Sequence, residues 1–117
     1  MQLLILGGTR FLGRHLVAAA LARAHAITLF HRGTNPVTAR AHVETIYGDR
    51  HRDLAKLHGR RWDAVIDTSG YHPHTVRAAA GTLADAVPRP ARRTALKIRP
   101  IGRPAVGQRL QIALRCL

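Results

Sequence analysis

Three glycines near the start of the chain, Gly7, Gly8 and Gly13, interrupt an apolar run and precede an alanine-rich one. The run Leu3-Leu4-Ile5-Leu6 has the length of a strand, and the stretch from Phe11 has helical spacing. A turn without side chains between a strand and a helix N-terminus is suited to holding a pyrophosphate on backbone N–H groups. Read as G-x-x-G-x-x-G, the turn offers Gly7, Arg10 and Gly13, so arginine replaces the middle glycine. A second group with chemical potential is His31-Arg32, just past the next apolar run. An acid there would bind a ribose 2′-hydroxyl, whereas a guanidinium suits a 2′-phosphate through charge and forked geometry. Two readings of Arg32 stand at this point, a phosphate ligand and a solvated loop charge.

Other combinations are weaker. His72-Pro73-His74 brings two histidines together, but no third metal ligand is apparent. Ser69 stands in Thr68-Ser69-Gly70, which lacks the G-x-S-x-G elbow of serine hydrolases. No metal site and no catalytic residue is therefore expected. Cys116 is the only cysteine, so no disulfide or cysteine-based zinc site can form within one chain.

The elements that would position these residues can be read from periodicity. Gln2–Leu6 is apolar without alternation, as in a buried parallel strand. Phe11 to Ala24 reads as a helix with Leu12, Leu16, Val17, Ala20 and Leu21 on one face. Strands are expected at Ala26–Phe30, Val43–Tyr47 and Ala64–Asp67, with a loop over His31–Thr38. A short helix is expected over Arg52–His58, and Pro73 opens another running to about Val87. This order implies an α/β domain with a parallel sheet, and right-handed crossovers give the spatial order 3-2-1-4. That is the first half, and slightly more, of a doubly wound fold.

The 117 residues suffice for one domain and carry a net charge of +13, of which the last thirty contribute +8 with no acid at all. Residues 88–117 are punctuated by Pro88, Pro90, Pro100 and Pro104 and read as a mostly disordered basic tail with at most a short terminal helix or strand. Such a tail attracts polyanions nonspecifically, and without aromatic residues it cannot stack on bases. No secretory signal or membrane span is legible, and the cytoplasm is the expected location.

Gly7-Gly8-Thr9-Arg10-Phe11-Leu12-Gly13, Leu29-Phe30-His31-Arg32-Gly33, Gly48-Asp49-Arg50 and Trp62-Asp63-Ala64-Val65-Ile66-Asp67-Thr68-Ser69-Gly70-Tyr71 occur in this order. Together they resemble the N-terminal part of a bacterial NAD-dependent epimerase/dehydratase, in the extended short-chain dehydrogenase/reductase superfamily. The Gly-Gly-Thr-Arg-Phe variant is also similar to that superfamily's chloroplast stem-loop RNA-binding branch. The resemblance covers residues 1 to about 87 and implies an incomplete Rossmann-like NAD(P)-binding domain followed by the tail at 88–117. It implies that Gly7, Thr9, Arg10, Phe11, Leu12 and Gly13 line the pyrophosphate and that Arg32 sits by the adenosine ribose. It further implies that Asp49 and Arg50 flank the adenine and that Thr68, Ser69 and Gly70 lie near the pyrophosphate and the nicotinamide-side ribose. Arg10 could equally pair with a surface acid, and Asp49 could be a turn residue capping the helix that begins near Arg52.

With arginine in place of an acid after the second strand, NADP is expected over NAD. The superfamily's Tyr-x-x-x-Lys pair is missing, because His51 follows Tyr47 and Thr75 follows Tyr71 at that spacing. The expected function is therefore cofactor binding without independent catalysis. The alternative is a non-enzymatic nucleic-acid-binding protein built on the same scaffold. The abrupt change after Val87 reads as a truncated or frameshifted product, with a genuine basic appendage as the competing view. A chain that stopped after its fourth strand would expose a sheet edge and be marginally stable, self-associate or need a partner strand.

Overall fold

The computed structural model describes residues 1–35 and 40–87 in full. Of the remainder it describes only the backbone of Thr94–Leu96 and Ile112–Leu114. Strand β1 (Gln2–Leu6) is followed by helix α1 (Phe11–Ala22), β2 (Ala26–His31) and β3 (Val43–Tyr47). A single 3₁₀ turn (Leu54–Leu57), β4 (Ala64–Asp67) and helix α2 (Pro73–Thr82) come next. The four strands form one parallel sheet in the order β3-β2-β1-β4, as the crossover rule predicts.

The apolar runs explain why β1 is central. Leu3, Leu4, Ile5 and Leu6 are all buried, because both faces of the strand are covered. Leu3 and Ile5 pack with Ile27, Leu29 and Ile66 against Val17 and Ala20 of α1. Leu4, Leu6 and Phe30 face Leu54, Leu57, Trp62, Ala79 and Leu83 on the other side. The buried Trp62 indole donates to the Thr28 hydroxyl at 3.1 Å, so its polar atom is satisfied inside the core.

Helix α1 ends at Ala22 rather than Ala24, β2 runs on to His31 rather than Phe30, and two later elements differ more. The expected helix over Arg52–His58 is the 3₁₀ turn, too short to propagate an α-helical ladder but long enough to bury Leu54 and Leu57. Helix α2 ends at Thr82, not near Val87. Leu83, Ala86 and Val87 still reach the interior, and the Ala86 carbonyl accepts the Trp62 N–H at 2.8 Å.

In the tail, β5 (Thr94–Leu96) and β6 (Ile112–Leu114) form an antiparallel pair. β6 lies alongside β4, but no ladder joins the pair to the four-stranded sheet. The expected disorder of the rest of the tail concerns positions outside the described residues.

Candidate functional site

The site lies at the carboxyl ends of β1 and β4. The chain leaves β1 toward β2 on one side, and β4 occupies the other side, so the connections diverge at this point. Crevices at such switch points are where open α/β sheets place their ligands.

Gly7 and Gly8 make the turn after β1 with φ of +94° and +86°, a region that glycine enters without steric cost. The Gly7 N–H bonds the Phe30 carbonyl at 2.9 Å. The Gly8 N–H bonds the Thr68 hydroxyl at 3.1 Å, and that hydroxyl donates to the Leu6 carbonyl at 2.9 Å. Gly13 is required for a different reason. A Cβ there would stand 2.2 Å from the Gly8 Cα, so the helix could not approach the turn. A Cβ at Gly7 would stand 2.6 Å from the Thr68 hydroxyl. Arg10 occupies the N-cap of α1 with extended backbone, φ −109° and ψ 174°, so the missing middle glycine is no obstacle.

The amino end of α1 is open. Arg10 gives no side-chain cap, the first turn holds no acid, and the first helical bond runs from the Arg14 N–H to the Arg10 carbonyl. The N–H groups of Phe11, Leu12 and Gly13 therefore find no acceptor among the described residues. Arg10 is exposed and Phe11 is 81% exposed, its ring edge-on to His15. Leu12 is half-buried against the core. Thr9 is half-buried, and its hydroxyl lies 3.4 Å from the Asn35 amide. A cavity of about 820 Å³ adjoins this end of the helix, lined in part by Gly8, Thr9, Arg10, Arg14 and Arg40. A second cavity, of about 600 Å³, lies at the opposite end of the strands beside Gln2, Thr28 and Trp62.

At the end of β2, Arg32 is exposed while His31 is buried. The His31 Nδ1 accepts the Gly33 N–H at 3.1 Å, which leaves Nε2 as a buried nitrogen without a partner. Burial lowers the His31 pKa from its ordinary value and favours the neutral ring. Asp49 caps its own turn, accepting the His51 N–H at 2.7 Å. That bond, the largest cause, holds its pKa below the usual carboxylate range, with His51, Arg52 and Arg32 adding charge attraction.

Arg50, expected beside an adenine, has its own set of protein partners. Its guanidinium is turned inward onto Asp67, Ser69 and Thr75 and is largely removed from solvent. A buried guanidinium requires such partners, because an unpaired one would carry a large desolvation cost. Thr68, Ser69 and Gly70 do gather at the end of β4, next to the glycine turn. Sequence reasoning missed Asp67 and Thr75, which complete this network. The available signal was a carboxylate ending the apolar strand Ala64–Asp67, since a buried acid needs a cationic partner.

Among the described residues, no group of three or more His, Cys, Asp or Glu side chains could hold a metal ion, and no helix is long and apolar enough to cross a membrane. No curated protein matches the chain. Solved structures do. A Rossmann-fold NAD(P)-binding family protein from Shigella flexneri is 21% identical with a TM-score of 0.62, over 75% of this chain and 48% of that one. The Bordetella bronchiseptica enzyme WbmG, solved with NAD, is 17% identical with a TM-score of 0.59, over 74% and 34%. The UDP-glucuronic acid 4-epimerase of Bacillus cereus, also solved with NAD, is 19% identical with a TM-score of 0.52, over 71% and 36%. The matched part of this chain thus spans less than half the length of each. The sequence model that describes the NAD dependent epimerase/dehydratase family matches residues 3–89, and the chain belongs to that family.

Proposed function

We propose that this chain is the dinucleotide-binding portion of an NAD(P)-dependent epimerase, dehydratase or reductase and does not catalyse the reaction by itself. The observation that carries the reading is the uncapped amino end of α1 behind a turn that only glycine can form. The N–H groups of Phe11, Leu12 and Gly13 supply donors for a pyrophosphate, while glycine at positions 7 and 13 lets the turn close against Thr68 and lets α1 approach Gly8. The bound nicotinamide would supply hydride acceptance and return. Thr68, Ser69 and Gly70 border the crevice on the side of β4.

NADP is favoured over NAD. No acid stands at the end of β2, His31 is held neutral, and exposed Arg32 offers a guanidinium. Independent catalysis is disfavoured because no described lysine meets a tyrosine phenol. Lys56, the only lysine among the described residues, donates to the Tyr47 carbonyl at 3.0 Å.

Titration of the intact chain with NADP and NAD tests the reading. Gly13→Val abolishes binding of both, because its side chain would collide with the Gly8 backbone. Arg32→Ala weakens NADP more than NAD by about 1.5–3 kcal/mol, the worth of a hydrogen bond to a charged group. Equal binding by wild type and Gly13→Val would remove the site assignment. Turnover that is sensitive to Gly13→Val would remove the claim of incompetence.

A further inference from the structure

Asp67 is only 4% exposed, at the carboxyl end of β4. Arg50 meets it as a fork, with bonds of 2.9 and 2.8 Å to its two oxygens. The same guanidinium bonds the Ser69 hydroxyl at 2.9 Å and the Thr75 carbonyl at 3.2 Å. Asp67 in turn accepts the Ser69 N–H at 2.9 Å. β3 and β4 are the two edges of the parallel sheet. The fork therefore joins the loop after one edge to the turn after the other, across the ends of β2 and β1.

This joint leads directly to the glycine turn. Thr68, adjacent to Asp67, receives the Gly8 N–H on its hydroxyl, and Gly7 has no room for a Cβ against it. A Cβ on Gly70 would lie 3.0 Å from the Asp67 carboxylate and 2.6 Å from Val76. The turn Thr68–Gly70 is thus held between the ion pair and the glycine turn. It cannot shift without disturbing Gly7 and Gly8. Both terminal nitrogens of Arg50 are engaged, and its Nε is buried without a partner.

We propose that Arg50 and Asp67 act as a positioning pair that sets the spacing between the Thr68–Gly70 turn and the glycine turn. Arg50 thereby serves the pyrophosphate and nicotinamide-side half of the crevice, not the adenine. The second statement rests on the dinucleotide reading above, whereas the positioning itself does not. A fork of two parallel bonds fixes orientation in a way that a lysine ammonium cannot. Loss of Arg50 alone also leaves a buried carboxylate unpaired, close to where a phosphate would bind.

Two measurements on the intact chain test the pair, using Arg50→Lys, Arg50→Met, Asp67→Asn and the double variant Arg50→Met/Asp67→Asn. Asp67→Asn keeps the side chain's shape and serves where the Arg50 variants fail to fold. Amide hydrogen exchange without ligand comes first. Protection at Gly8 and Ser69 falls about tenfold or more in Arg50→Lys and Asp67→Asn, while Ile5 and Leu29 at the sheet centre keep theirs. Unchanged protection at Gly8, or uniform loss through the sheet, would overturn the positioning role. Titration with NAD and with adenosine comes second. Each single variant weakens NAD about tenfold and leaves adenosine unchanged, and the double variant recovers part of the loss seen in Arg50→Met. Equal weakening of NAD and adenosine would overturn the assignment to the pyrophosphate and nicotinamide side. Failure of the wild type to bind NAD would count against the dinucleotide reading alone, with hydrogen exchange still deciding the positioning role.

Discussion

His31 shows how one side chain ties strand, site and pH together. Its ring lies at the end of β2, accepts the Gly33 N–H, and is desolvated enough to lower its pKa. The sign of the linkage follows. Below the ordinary value of 6.5 the unfolded chain takes up a proton that the folded chain resists. Stability is therefore full above about pH 6.5 and declines as the pH falls toward the folded value. Glu44, whose pKa is lowered first by its hydrogen bond from Arg60, and Asp49 act in a more acidic window. Urea unfolding at about pH 7.5 and 5.5 isolates the histidine. The wild type loses stability between those values, and His31→Asn, which keeps an acceptor for Gly33, loses less. An identical loss in the variant would remove His31 as the cause. The same residue marks a limit of sequence reading. Arg32 beside it was legible as an exposed cation, but nothing local showed that His31 would be buried with one nitrogen unpartnered.

At the scale of elements, the end of α1 makes a sharp prediction. The His25 N–H bonds the Ala20 carbonyl at 3.1 Å and the Ala24 N–H bonds the Leu21 carbonyl at 2.9 Å. This is a Schellman cap, which places its central residue in the left-handed region. That residue is Ala24, with φ +57°. Ala24→Gly removes the strain of a Cβ there and raises stability by about 1 kcal/mol, measured by thermal or urea unfolding. A lower melting temperature in the variant would contradict the cap. The four parallel strands were legible because buried strands appear as short apolar runs, and Gly7 to Gly13 marked the strand-to-helix turn. The end of α2 was not. Leu83, Ala86 and Val87 continue the apolar spacing of a helix, but they reach the core from a turn after Thr82. The Arg50–Asp67 fork was equally hidden, since partners seventeen residues apart leave no periodic trace.

For the whole molecule, the uneven charge and the modest sheet act separately. The basic residues of the tail should dominate polyanion binding, and β5 and β6 add no ladder to the four-stranded sheet. Truncation after Val87 should leave the melting temperature nearly unchanged while removing most affinity for heparin. In the intact chain that affinity falls steeply between about 50 and 200 mM salt. A large drop in melting temperature on truncation would show that β6, alongside β4, supports the sheet. Light scattering in the same salts reads any self-association through the outer edge of β4. The central place of β1 has a consequence for biosynthesis. β1 leaves the ribosome before both strands that flank it, β2 on one side and β4 on the other, whose Asp67 emerges some sixty residues later. Until then one edge of β1 is open, and Leu4 and Leu6 lack Ala79, which packs with them from α2. The nascent chain therefore passes through an interval in which its most apolar strand is a template for other chains.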